Sequence, residues 1–457
     1  MNDLAWIFRS RPFAYSTVYA HPDIGQRAAY VPGPCSVRPD IPPDVACVCK
    51  NESNCTVRFA DGMWLTTWSQ GSAEGAPDEY IVFATSHDQG RTWSAPQRIV
   101  GWRTEFQERI AYGIPFLVPE SERLYLFFFI DHRILTGQSP VVPERNGLHV
   151  IHSDDRGGTW TQPRQVPVSL PEFSFAPGHA HFWVNHSPAL LPTGDVAFTV
   201  SLSTYGKRWQ LGVAEVRTIH CQNILTEADP AKLRFRVFPE GDAGIRVDPA
   251  KGIDSPALAR LIQAFDPTQS AAEIAWNFQE MTIVPTADPD RWLGVGRCYL
   301  GSPAITVSHD RGRTWAPAEA LRFAPDGPPI LHPMTMCPIA RLADGRYILF
   351  FTNNDGSARN AAHVWDGDGH TRNPQWFAIA REIPGESRNG GLLFGTPRLL
   401  VDVDDTIDPN LKTGLSMPQF FQDSGRHFVC YNANKEHLFL DELPASVLDE
   451  MTPPTPA

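Results

Sequence analysis

Ser86-His-Asp88-Gln-Gly90-Arg-Thr92-Trp93, Ser153-Asp-Asp155-Arg-Gly157-Gly-Thr159-Trp160 and Ser308-His-Asp310-Arg-Gly312-Arg-Thr314-Trp315 are three copies of one octapeptide. Its pattern, Ser-x-Asp-x-Gly-x-Thr-Trp, predicts a stapled turn. The Asp carboxylate can accept from backbone amides two residues on, the Gly tolerates positive φ, and the Trp folds back as an apolar plug. Each copy follows an apolar run (Tyr80 to Ala84, Leu148 to Ile151, Ala304 to Val307) and precedes another short one, so each closes a hairpin. Positions fixed three times over mean that the chain repeats a β unit.

A second repeat of longer period surrounds the first. Paired apolar runs broken by a turn signal occur at Cys55–Trp68, Ile114–Phe129, Pro188–Val200, Met281–Val295, Cys337–Phe351 and Pro418–Tyr431. Three of these hairpins are followed by an octapeptide hairpin, which makes a four-stranded unit. Six such units around an axis predict an all-β fold, a six-bladed β-propeller with four-stranded antiparallel blades. One domain over 1–445 accounts for the chain, with a partly helical insertion around 215–275, where Ser255 to Phe265 reads as a helix capped by Ser255. The remainder, 446–457, is expected to be a disordered tail.

Composition agrees with this and narrows the function. Of 457 residues, 42% are hydrophobic, with 13 Trp and 26 Phe to build a core. The 42 Pro and 34 Gly suit short strands joined by turns. A net charge of −12 without Lys/Arg runs argues against nucleic acid or a membrane as partner. The first residues show no uninterrupted apolar stretch of the leader type, and eight cysteines are sparse, so a reduced, cytoplasmic protein is expected. No cofactor is implied. His179, His181 and His186 could ligate a metal or form one polar strand face; without an accompanying carboxylate motif, the reading is no metal.

The hairpin geometry places the candidate site. The start of each unit's first strand and the end of its second lie on one face, so the residues flanking all six hairpins ring one mouth of the channel. Among them are Glu52 and Asn54, Tyr112, Asn185 and His186, Glu280, Arg297, His332 and Lys435. Amides and Arg can bond sugar hydroxyls and carboxylates, and aromatics can stack on sugar rings, which points to a carbohydrate partner. Glu280 and Arg297, at the two ends of one hairpin, fall within reach of an ion pair or a shared substrate. Tyr112 and His186 supply groups able to move a proton.

The octapeptide resembles the Asp box of the sialidase superfamily, and Glu52 to Ile99, through Thr67-Trp68-Ser-Gln-Gly71, is similar to the opening of the bacterial neuraminidase-repeat family. The resemblance extends to about Leu440. It implies an exo-α-sialidase-like glycoside hydrolase on a β-propeller, with a Tyr nucleophile assisted by a Glu, an Asp acid/base and three Arg that clamp a carboxylate. On this resemblance Glu280 stands at the assisting Glu, Arg297 at the second Arg and Arg372 at the third, with Arg359 as rival. The sequence departs from the family where Glu52-Ser-Asn54-Cys55 replaces the Arg-Ile-Pro of the first blade, and where Met417 stands in place of the nucleophilic Tyr. Tyr112 or Tyr431 could stand in.

The expected activity is therefore removal of a terminal, acidic sugar from an oligosaccharide or glycan. Glu280, His186 and Tyr112 are the catalytic candidates, and Arg297, Arg372, Asn54, Glu52, Asn185, His332 and Lys435 the substrate-binding ones. The alternatives are a polysaccharide lyase acting on uronates with a His or Tyr base, and a propeller that only binds glycans.

Overall fold

The structure is a computed structural model that describes residues 7–20, 50–71, 79–101, 109–131, 147–168, 180–184, 186–204, 214–248, 277–355, 372–404 and 414–454. Six antiparallel sheets form six blades in a ring. In blade 1 the order from the axis outward is Lys50–Arg58, Trp64–Gly71, Tyr80–Ser86 and Gln97–Gly101. Blades 2 and 4 repeat it from Arg109–Leu117 and Phe278–Pro285.

The long apolar runs are middle strands covered on both faces. In Leu124–Asp131, Leu126 and Phe128 pack toward Ile81 of blade 1, while Tyr125, Phe127 and Phe129 join Val196 and Phe198 of blade 3. A strand sandwiched between neighbours reads as continuous hydrophobicity, not as alternation. Among the described residues no helix is long and apolar enough to cross a membrane.

The Asp boxes close the outer hairpins of blades 1, 2 and 4. In each, the Ser hydroxyl takes the Gly amide and bonds the Asp (Ser86 Oγ to Gly90 N and to Asp88 Oδ1, both 2.8 Å). The Asp reaches the Thr four residues on, through its amide at 2.9 Å and its hydroxyl at 2.6 Å in the first copy. The expected bond to amides two residues on is thus replaced by one that spans the whole turn. Gly90 has φ +79° and lies where a Cβ would sit 2.5 Å from the Trp64 ring, so conformation and close approach both demand glycine.

The ring closes through chain far away in sequence. Ala14–Tyr19 forms the outer strand of blade 6, and Phe8–Ser10 adds a strand to the edge of blade 5. Arg11 fixes this crossing: its Nε donates to Asp441 Oδ1 (2.7 Å) and to the Tyr431 hydroxyl (2.9 Å), which itself donates to Asp441 Oδ2 (3.1 Å).

Two expectations need correction. Ala214–Cys221 and Phe235–Phe238 are the third and fourth strands of blade 3, not part of a helical insertion, because both pair in its ladder. The proposed helix at 255–265 lies outside the described residues. The tail is not disordered from 446: Ala445–Glu450 is a helix, held by the burial of Leu448 and Met451 in the apolar cluster between blades 5 and 6.

Candidate functional site

The inner strands share a device that sequence reading does not predict. Those of blades 1, 2, 4 and 6 all slip register at the same level, between Glu52 and Cys55, Ala111 and Ile114, Gln279 and Thr282, and Ser416 and Gln419. Each bulge holds a non-glycine residue in the left-handed region: Ser53 (φ 58°), Tyr112 (63°), Glu280 (49°) and Met417 (56°). In blade 3 the inner strand is broken more widely, between Trp183, opposite Ser201, and Ala189, opposite Ala197, and His186 sits in the break. Left-handed conformations of this kind store about 1–3 kcal/mol each and bulges re-aim side chains. Here they gather at one end of the channel.

Glu280 is the centre of the most complete cluster. It is 4% exposed. Trp183 Nε1 donates to its Oε1 (3.1 Å), and Arg297 Nε lies 3.0 Å from its Oε2. Arg297 also spans to Gln279 Oε1 across the strand pair (Nη2 at 2.7 Å). His186 donates from Nε2 to the Glu280 carbonyl, which fixes its tautomer; its Nδ1 is buried and has no hydrogen-bond partner. Burial lowers the His186 pKa, so the ring is neutral. Sequence reading paired Glu280 with Arg297 correctly in space but assigned no role to Trp183, to Gln279 or to Ser201, whose Oγ accepts from the Glu280 amide (2.8 Å). The signal for Ser201 was present where the apolar run Val196 to Val200 gives way to a serine inside the strand Val196–Thr204.

The other candidates fall into three groups. Glu52 and Lys435 meet each other: Nζ lies 2.8 Å from Oε2 across the seam between blades 1 and 6, and their side chains are 1% and 3% exposed. Asn54 stitches the same seam, donating from Nδ2 to the Cys430 carbonyl (3.2 Å). His332 is fully buried with both ring nitrogens engaged, Nε2 donating to the Thr335 carbonyl (2.9 Å) and Nδ1 accepting from the Thr352 amide (3.2 Å). Burial, with the Arg372 and Arg297 guanidiniums acting in the same direction, lowers its pKa to about 3. Both guanidiniums therefore lie within electrostatic range of His332. Tyr112 packs in the apolar cluster that contains Trp183. Asn185 and Arg359 lie outside the described residues.

Two substitutes for the missing Tyr can be judged. Met417 accepts from the Ser53 amide through its sulfur and is 4% exposed, a fixed thioether at the seam. Tyr431 is fully buried in the core between blades 5 and 6, and burial beside Asp441 drives its pKa well up. It is not at the mouth. Further along the inner strands of blades 3 to 6, a cavity of about 260 Å³ is lined by His186, Thr199, Ile283, Phe350 and Phe420, among others. No group of three or more His, Cys, Asp or Glu able to hold a metal occurs among the described residues.

Residues 62–215 match a family model described as a BNR repeat-like domain. The ring of blades is similar to solved sialidases. A Hadza microbial sialidase aligns with a TM-score of 0.55 at 13% identity, over 88% of this chain and 66% of its own. This chain has a six-bladed propeller fold similar to that of sialidases. The intramolecular trans-sialidase from Ruminococcus gnavus, solved with oseltamivir carboxylate, gives 0.54 at 11% identity, over 87% of this chain and 95% of that one. A protein of unknown function from Dyadobacter fermentans gives 0.54 at 14%, over 87% and 98%. The propeller spans just under two thirds of the Hadza enzyme and nearly all of the other two. No curated protein matches the sequence.

Proposed function

We propose that this propeller is a sialidase-like glycoside hydrolase that removes a terminal acidic sugar from an oligosaccharide or glycan at the channel mouth. The observation that carries the reading is Glu280, buried, held left-handed in a bulge, with its two carboxylate oxygens facing Trp183 and Arg297. A carboxylate so fixed offers preorganised negative charge to an oxocarbenium-like transition state. In this reading Arg297 and Arg372 meet the substrate carboxylate, a contact of about 1.5–3 kcal/mol when desolvated. Tyr112 contributes the phenol that the missing family Tyr leaves to be supplied. We place the protein in the cytoplasm on its cysteine usage.

The lyase reading loses one of its bases, because His332 has no ring nitrogen to spare. Its remaining bases are the bare Nδ1 of His186 and the phenol of Tyr112. Incubation with a fluorogenic umbelliferyl α-sialoside and with uronate oligosaccharides separates the readings. Hydrolysis releases fluorophore or reducing sugar without new ultraviolet absorbance. Absorbance from an unsaturated product, without hydrolysis, would replace this reading with the lyase, and turnover of neither class would leave a binding module.

A further inference from the structure

The bulges of blades 2 and 4 are held by the same pair of hydroxyls from the blade before. In blade 1, Ser69 Oγ accepts from the Tyr112 amide (3.0 Å) and Thr67 Oγ1 donates to the Gly113 carbonyl (3.0 Å). In blade 3, Ser201 Oγ accepts from the Glu280 amide (2.8 Å) and Thr199 Oγ1 donates to the Met281 carbonyl (2.5 Å). The correspondence is atom for atom: a Ser on the left-handed residue's N–H and a Thr, two residues earlier, on the next carbonyl.

The positions are equivalent in the ladders as well. Ser69 lies opposite Glu52 and Ser201 opposite Trp183, each at the level where its own blade's inner strand leaves register. The matching positions in the other bulged blades carry different chemistry. Phe127 and Phe129 stand there in blade 2, Val295 and Arg297 in blade 4, Cys430 and Asn432 in blade 6. Thr-x-Ser thus precedes the two bulges that present Tyr112 and Glu280. All four hydroxyl residues are buried, at 4% exposure or less.

We infer that Thr67/Ser69 and Thr199/Ser201 are positioning residues, each pair locking in its left-handed state the group that the next blade presents to the mouth, Tyr112 and Glu280. A bulge backbone that leaves the sheet ladder needs partners for its N–H and C=O. A strained backbone persists only where its surroundings over-determine it. Two hydroxyls at fixed spacing do both, and rotating the Glu280 backbone would carry its carboxylate away from Trp183 and Arg297. The role in catalysis rests on the proposed hydrolase; the role in holding the bulge does not.

Ser201→Ala removes the acceptor, and Ser201→Thr restores it. The alanine variant is expected to lower kcat about tenfold with KM unchanged, the size of one hydrogen bond lost behind the reacting group. Hydrogen exchange of the Glu280 amide should speed up in the same variant, and the threonine variant should recover both. Ser69→Ala should speed exchange at the Tyr112 amide, and it serves as the independent arm if Ser201→Ala folds poorly. Unchanged exchange at both amides would overturn the inference, as would faster exchange with unchanged kcat for its catalytic part. Should no sugar substrate be turned over at all, the hydrolase reading fails while the exchange measurements still decide the clasp.

Discussion

Replacing Lys435 with Met tests how the ring is closed. Glu52 and Lys435 are charges from the first and last blades, 2.8 Å apart and almost wholly removed from water. Around them Asn51 N donates to the Lys435 carbonyl (2.6 Å), Lys50 Nζ to the Asn434 carbonyl (2.9 Å) and Asn51 Nδ2 to the Glu436 carbonyl (3.0 Å). Removing one member of a buried ion pair typically costs about 3–5 kcal/mol, whereas removing both is often near neutral. An unfolding entropy of about 2.1 cal/mol/K per residue, over 457 residues, converts that loss to roughly 3–5 °C in Tm. Differential scanning calorimetry of Lys435→Met, Glu52→Met and the double variant forms the cycle. Each single variant should fall by that amount, and the double variant should recover most of it. Losses that simply add in the double variant would refute the coupling, and with it the claim that this pair seals the seam.

Two further outcomes follow from the same geometry. Tyr431→Phe removes a hydroxyl that accepts from Arg11 and donates to Asp441; thermal unfolding should show a loss of about 1–3 kcal/mol with turnover retained, and an inactive but stable variant would return Tyr431 to the site. His332, with a pKa lowered to about 3, stays neutral in the fold while the unfolded side chain takes up a proton near 6.5. Its contribution is therefore fully present above pH 6.5 and is lost progressively as pH falls toward 3. An NMR titration should show no His332 protonation between pH 5 and 8, and a midpoint in that range would contradict its placement.

The parts of the fold legible in sequence were those encoded locally. The Asp boxes carry their whole hydrogen-bond pattern within eight residues, and the apolar runs of the hairpins follow from middle strands buried on both faces. What stayed hidden depends on distant chain. Nothing near Phe8 or Ala14 says that these strands pair with Val403 and Asp441. Tyr431, closing an apolar run, reads as a stand-in for the missing nucleophile, yet Arg11 and Asp441 draw it into the core. At the site, hairpin geometry was enough to bring Glu280 to Arg297. The left-handed backbone of Glu280 and Tyr112 was not legible, because hydroxyls from a neighbouring blade impose it on residues that do not prefer it.

The central claim is that Glu280 is the reacting carboxylate of a glycoside hydrolase. Its most direct test is the turnover number of Glu280→Gln on the α-sialoside or other glycoside that the native protein hydrolyses, with Tm measured alongside. The account predicts a fall of about 10²–10⁴-fold in kcat in a protein that remains folded; a folded variant that turns over at the native rate would contradict it.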